Sequence, residues 1–315
     1  MKNFLSKFHL YNFQYKGGYF LTMCKKLDKL SYYYVVCTIT TYFSGMIFFN
    51  ITPMYKNYKN GVFSNNITEN YTLEFSVNYV LPGFDPKDHF IFTTIVNCWM
   101  SYGCSMFICF TDLCLYMMVF QVIGHMKVLK YNLEHLLPPK HNHSFIIQDY
   151  TIEIDMYDAQ ENQLVHEIIC DCVRHHLLIV NFTDEISNFF GPMLALTYLY
   201  EFATCSLMLL ECMQGNTEAI ARYGLLTFIS FGQLIQSSVI FEFIGSQSET
   251  LMDTVYLMPW ECMNLRNRRT INMFLLRVQT PISLTAMGMV SVGVKTMLGI
   301  LKTTLSYLAF LQTLK

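Results

Sequence analysis

Long apolar runs separated by polar connections set the plan of this chain. Five stand out against the roughly 20 residues that a helix needs to cross a bilayer: residues 32–51, 90–122, 189–210, 223–243 and 284–311. Aromatic and β-branched residues are frequent in them. Their length and lack of strict alternation nevertheless predict helix, and backbone amides in lipid must be satisfied within the segment. The expected fold class is therefore all-α, a polytopic membrane helix bundle forming a single transmembrane domain over residues 1–315. The second run is longer than a bilayer requires, so its far end is expected to project into water. Gly191-Pro192 interrupts the start of the third.

Polar positions inside the last run are its distinctive feature. Lys295, Lys302, Ser306 and Tyr307 punctuate an otherwise apolar segment. A charge at membrane depth costs about 2.5 kcal/mol or more unless it faces protein or water. The segment is therefore expected to border a polar path.

Composition agrees with a membrane protein. The residues are 53% hydrophobic and only 14% charged, and the mean hydropathy of +0.30 is high for a soluble globule. A net charge of −2 with no basic stripe argues against nucleic acid as a partner. Membrane lipid is the expected surroundings.

Charge asymmetry sets the expected orientation. Residues 1–30 carry Lys2, Lys7, Lys16, Lys25, Lys26 and Lys29 against Asp28 alone, with no apolar core followed by small cleavage residues. The positive-inside rule keeps this segment in the cytosol and places the loop 52–88 outside. Two N-glycosylation sequons in that loop, at Asn66 and Asn70, agree with it. Alternation then puts 127–187 and 245–283 in the cytosol, the latter with Arg266, Arg268, Arg269 and Arg277, and the C-terminus outside. The sequons at Asn142 and Asn181 fall on the cytosolic side and are read as chance.

Candidate chemistry is sparse. None of the eleven cysteines lies in the loop 52–88, which excludes a disulfide there. His166, Cys170, Cys172, His175 and His176 crowd one helical stretch with i to i+4 spacings that suit metal ligands. Zinc-ribbon spacing and a second cluster are missing, so a packed amphipathic helix is expected, with no metal and no cofactor. The acids from Asp149 to Asp171 read as a solvated helix face. No phosphate loop, His-Glu-x-x-His or nucleophile elbow is present, and an enzyme is not expected.

A set of ordered motifs carries a family resemblance. Ser248-Glu249, Tyr256, Trp260, the run Arg277-Val-Gln279-Thr-Pro281-Ile-Ser-Leu284-Thr-Ala286, and Ile300-Leu-Lys302 with Ser306-Tyr307 resemble the C-terminal signature of insect odorant receptors. Cys172-Val-Arg-His-His176, Leu81-Pro82 and Asp85-Pro86 also resemble that family. The resemblance implies a seven-helix tuning subunit that binds volatile apolar odorants. Such a subunit assembles with a common co-receptor as a tetrameric, non-selective cation channel in the plasma membrane of olfactory sensory neurons. The first apolar run aligns with the family's third helix, leaving the first two without a counterpart. A gustatory receptor of the sister class is an alternative, but its closing motif has five apolar residues between Thr-Tyr and Gln-Phe, where Tyr307 here is followed by four before Gln312. A shortened receptor without function is another. A transporter is disfavoured by the lack of internal symmetry.

The resemblance also assigns sites. Pore and gate fall on Ser306, Phe310, Thr313 and Leu314, with Phe310 and Leu314 one turn apart as the constriction. The subunit anchor falls on Tyr256, Trp260, Arg277 and Gln279, with Tyr256 and Trp260 expected as i to i+4 neighbours on one helix. For the odorant pocket, helical spacing and residue type select Phe43, Met46 and Ile47 on the first run, Thr94, Trp99, Tyr102 and Met106 on the second, and Tyr223 and Phe228 on the fourth.

Overall fold

The structure, a computed structural model of the chain, describes residues 8–12, 18–62, 73–77, 85–86, 88–139, 141–147, 150–212 and 217–313. Its helices are α1 (Gly18–Lys59), α2 (Phe90–Glu134), α3 (Ala159–Cys212), α4 (Thr217–Tyr256), α5 (Leu265–Val278) and α6 (Val294–Thr313). Strands β1 (His141–Ile147) and β2 (Tyr150–Met156) pair antiparallel between α2 and α3, and β3 (Thr285–Ala286) with β4 (Val290–Ser291) between α5 and α6. Among the described residues, the helix α1, the helix α2 and the stretches Ala159–Glu211 and Tyr223–Cys262 are long and apolar enough to cross a membrane. The protein is a multi-pass membrane protein.

Each of these helices runs beyond its apolar segment. α3, for example, continues 30 residues before residue 189 and passes through Pro192 as one helix, so Gly191-Pro192 does not interrupt it. The fifth apolar segment is helical only from Val294. Its first residues instead form the β3–β4 hairpin, where Met287 and Gly288 both take positive φ, 52° and 69°. They are the central residues of a turn closed by Met289 N–H donating to the Ala286 carbonyl at 3.1 Å, within a three-residue loop between the paired Ala286 and Val290, and a helix cannot continue through such a pair.

The chain divides into two units. The first gathers Met1–Ser31, Met117–Leu196 and Ser238–Thr296. Its core follows from helical period. On α3, Val165, Ile169, Cys172, His176, Ile179, Thr183, Ile186, Phe190 and Leu194 are all buried, a stripe whose steps of four and three alternate as far as Phe190. On α5 the buried set is Asn267, Ile271, Phe274 and Val278, the same alternation. The end of α2 is wrapped by protein and does not project freely: Val119, Val122, Val128 and Leu129 have no exposed surface. Gly124 allows this packing, since a Cβ there would lie 2.3 Å from the end of Leu27.

Capping fixes where these helices begin. Asp158 and Glu161 form a reciprocal capping box at the start of α3: the Glu161 amide donates to Asp158 Oδ1 at 2.6 Å and the Asp158 amide to Glu161 Oε2 at 3.2 Å. Asn264 caps α5 by accepting from the Asn267 amide at 2.9 Å. Of the acids before Asp158, Glu153 and Asp155 are on a strand and not on a helix, and Asp149 lies outside the described residues. Ile152, Ile154 and Met156 alternate with Thr151, Glu153 and Asp155, and that period of two makes β2.

His176 illustrates a polar residue placed on an apolar stripe. Its ring meets Phe274 edge-on at 5.4 Å, and its Nε2 is buried without a hydrogen-bond partner. Burial, followed by the nearby Arg277 charge, pulls its pKa from 6.5 down to about 4. It lies outside the apolar segment 189–210. A neutral histidine in the fold that ionises more easily when unfolded contributes stability fully above pH 6.5 and loses it as pH falls towards 4. The melting temperature of the detergent-solubilised chain is expected to drop across that window. His176→Leu, which completes the stripe, is expected to flatten the dependence; a variant as pH-sensitive as the wild type excludes His176 as the cause.

Candidate functional site

The second unit gathers Tyr32–Tyr116, Thr197–Ser237 and Met297–Lys315. Several of its polar side chains are paired across helices. Tyr34, Thr38 and Tyr42 recur every four residues and so share one face of α1. Tyr34 donates to the Gln236 carbonyl on α4, and the Gln236 side chain returns a bond to Thr38 Oγ1 at 2.6 Å. One turn further, the Tyr42 hydroxyl donates to the Asp112 carboxyl on α2. Glu201 on α3 lies within electrostatic reach of Asp112, and its Oε2 is buried with no hydrogen-bond partner. Tyr34 and Tyr116 meet edge to face, 5.3 Å between ring centroids.

Sequence reasoning missed Asp112 and Glu201. The signal was present: each is an acid within an apolar segment, and a carboxyl at membrane depth marks a functional or architectural site by default.

A second polar group fastens residues 73–77 to α1 and α2. Asn57 accepts from the Glu74 amide at 3.0 Å and donates to its carbonyl at 2.6 Å. Lys56 pairs with the Glu74 carboxylate at 2.5 Å. Asn50 accepts from Ser76 Oγ, and Asn97 donates to the Val77 carbonyl at 3.1 Å. Asn97 is only 2% exposed, and its Oδ1 has no partner. It lines a cavity of about 10 Å³ with Thr94, Cys98, Met54 and Phe75, room for a single water.

The sequence-selected ligand residues are dispersed. Thr94 lines that cavity, and Met46, Ile47 and Tyr223 are half-buried. Phe43, Trp99, Tyr102, Met106 and Phe228 are exposed, Trp99 by 74% and Phe228 by 75%. On α6, Ser306 and Phe310 are exposed while Thr304 is buried; Thr313 closes the helix. Leu314, Asn66, Asn70 and Leu81-Pro82 lie outside the described residues.

Tyr256 and Trp260 are not on one helix. α4 ends at Tyr256, Pro259 follows, and Trp260 belongs to a 3₁₀ turn over Trp260–Cys262. Both are exposed, as are Arg277, Gln279, Leu257, Leu265, Met273 and Leu276. Of the histidines and cysteines of α3, His166 bonds Asn267 at 2.9 Å and meets its i+4 neighbour Cys170 at 3.6 Å, His175 bonds His125 at 2.9 Å, and Cys172 and His176 face the core. No group of three or more ligating side chains suited to a metal occurs among the described residues.

Comparison with known proteins places this architecture. The solved structure of the insect olfactory receptor OR5 from Machilis hrabei matches at a TM-score of 0.66 and 13% identity, covering 95% of this chain and 70% of that one. The same receptor in complex with eugenol matches at 0.62 and 14% identity, with equal coverage. Odorant receptor 22b of Drosophila melanogaster is 24% identical over 144 residues, 45% of this chain and 36% of the fly protein, so the match spans about a third of that relative's length. A family model of the 7tm odorant receptors matches residues 19–305, far more than half of the sequence, and the chain belongs to that family.

Proposed function

We propose that the chain is an odorant receptor tuning subunit, which binds a small volatile apolar ligand and assembles with a common co-receptor as a ligand-gated, non-selective cation channel. The observation that carries this reading is α6. It is a 20-residue helix with Ser306 and Phe310 exposed on the subunit, as a pore-lining face requires. Phe310, with Leu314 as its partner in the sequence assignment, supplies the apolar constriction that gates by dewetting, and Thr313 is the polar lining residue beside them. Lys302, also exposed, lies in a wider vestibule or against a neighbouring subunit.

Subunit contact is supported by the exposed apolar residues around α5. Leu257, Trp260, Leu265, Met273 and Leu276 are all exposed on the stretch from the end of α4 through α5, and clustered exposed apolar side chains mark protein interfaces. Lysines at the start of α1 and arginines on α5 support a cytosolic location for both. The loop carrying Asn66 and Asn70 is then extracellular, as is the end of α6. The cell membrane of olfactory sensory neurons is the corresponding location. Eugenol, bound by OR5, is a reasonable first ligand to try. Family membership disfavours the gustatory reading.

Voltage-clamp recording tests the proposal. The chain co-expressed with an insect odorant co-receptor is expected to add cation currents evoked by members of a panel of volatile esters, alcohols and phenols, eugenol included. Currents no larger than those of the co-receptor alone, with the chain at the cell surface, contradict it.

A further inference from the structure

The segment between α5 and α6 supplies an assignment that neither the signature nor the family match makes. Residues 282–293 form no regular element apart from the two-residue strands β3 and β4, yet two of their backbone amides, and the first amide of α6, are satisfied by side chains from other helices. Ile282 N–H donates to Ser248 Oγ on α4 at 2.9 Å, and Thr285 N–H to Ser187 Oγ on α3 at 3.3 Å. Val294 N–H, the first amide of α6, donates to the Glu242 carboxylate on α4 at 3.0 Å. Inside the segment, Val292 N–H donates to the Leu284 carbonyl at 2.9 Å, and the Ile282, Leu284 and Val292 side chains are buried.

Two glycines admit these approaches. A Cβ on Gly191 would lie 3.0 Å from the Met287 backbone nitrogen and 3.2 Å from the Thr285 carbonyl oxygen. Both are backbone atoms of a fastened hairpin and cannot swing aside. A Cβ on Gly293 would lie 2.5 Å from the Glu242 carboxylate oxygen. Met287, next to the Gly191 approach, takes a left-handed conformation that is unfavourable for a side chain.

We infer that this segment is a clamp, and that Ser187, Ser248 and Glu242 are positioning residues that set where α6 starts relative to α3 and α4. A carboxylate at the first amide of a helix is favourable both as a hydrogen-bond acceptor and against the helix dipole. The three side chains come from two helices, so a displacement of α3 or α4 is delivered to the first turn of α6. The link to gating rests on the proposed channel function; the clamp itself does not. Ser248 thereby acquires a physical reason for its place in the motif, and Glu242, Ser187 and Gly293 join it.

The test has one arm that needs no current. In hydrogen–deuterium exchange of the full chain in lipid nanodiscs, Ser248→Ala is expected to speed exchange of the peptide holding Ile282 by about fivefold, and Glu242→Ala that of the peptide holding Val294 by a similar factor. Glu242→Gln, which keeps an acceptor oxygen, is expected to recover most of the protection. Gly293→Ala displaces the carboxylate and is expected to match Glu242→Ala, the double variant being no faster than either single one. Exchange within twofold of wild type in both alanine variants overturns the clamp, as does full additivity of the Gly293 and Glu242 changes.

In the second arm, co-expressed with the co-receptor, Glu242→Ala is expected to shift the odorant concentration for half-maximal current by about threefold or more while single-channel conductance stays unchanged. Unchanged concentration dependence with faster exchange removes the coupling and leaves a purely structural clamp. A wild-type chain that carries no current fails the channel reading, while the exchange arm still judges the clamp.

Discussion

Asn267→Ala is expected to lower the stability of the first unit by about 3 kcal/mol, the largest single-site loss among its polar residues. Asn267 has no exposed surface. Its Nδ2 donates to the Asn162 carbonyl at 2.8 Å and reaches Asn162 Oδ1 at 3.3 Å, while its Oδ1 bonds His166 Nδ1 at 2.9 Å. Asn162 in turn donates to the Tyr157 and Asp158 carbonyls and accepts from the Asn264 amide. One asparagine pair thus ties the start of α3 to the start of α5. Truncation strands a buried carbonyl and a histidine nitrogen and leaves a small void, each an expensive change. Asn267→Asp is expected to cost at least as much, because a carboxylate would face the Asn162 carbonyl with no proton to donate. Thermal melts of the solubilised chain check this: roughly 6–12 °C is the expected loss for Asn267→Ala, and a melt within 2 °C of wild type refutes the network's importance.

The second large effect lies at Tyr42 and Asp112. Tyr42→Phe is expected to destabilise the bundle by about 2 kcal/mol, since it strands a carboxyl oxygen in an apolar segment. Asp112→Leu is expected to cost a similar amount by stranding the Tyr42 hydroxyl. Replacing both partners, Tyr42→Phe with Asp112→Leu, removes donor and acceptor together and is expected to cost clearly less than the sum. Asp112→Asn keeps an acceptor for Tyr42 and adds donors beside Glu201, so it is expected to be at least as stable as wild type. Additive losses in the double variant show that the Tyr42–Asp112 bond contributes nothing specific.

Much of this architecture was legible before the fold was described. Length and apolarity locate the four helices that, among the described residues, are long and apolar enough to cross a membrane, because lipid leaves a long apolar run no option but helix. Boundaries were not legible to the same degree. The extensions of α2 and α3 are mixed in composition, and their burial depends on partners such as Leu27 and α5 that lie far away in sequence. The step pattern from Val165 to Leu194 was readable and resolves the histidine–cysteine cluster: Cys172 and His176 sit on the buried stripe, and His166 and His175 flank it. Tyr150 to Met156 alternates, yet the acids within it suit a solvated helix face equally well. The β3–β4 turn depends on Met287 taking a conformation that side chains disfavour, which no local pattern announces. The acids Asp112 and Glu201 were visible as sequence exceptions; only the fold shows that they approach one another.

Cysteine accessibility on α6 tests the pore assignment most directly. Ser306→Cys and Thr304→Cys are co-expressed with the co-receptor and exposed to a membrane-impermeant thiol reagent during odorant-evoked current, with wild type controlling for the native cysteines. Ser306, exposed on the subunit, is expected to bring irreversible block, and the buried Thr304 to stay unmodified. Block at Thr304 but not Ser306, or intact current at both positions under saturating reagent, contradicts a pore lined by this face of α6.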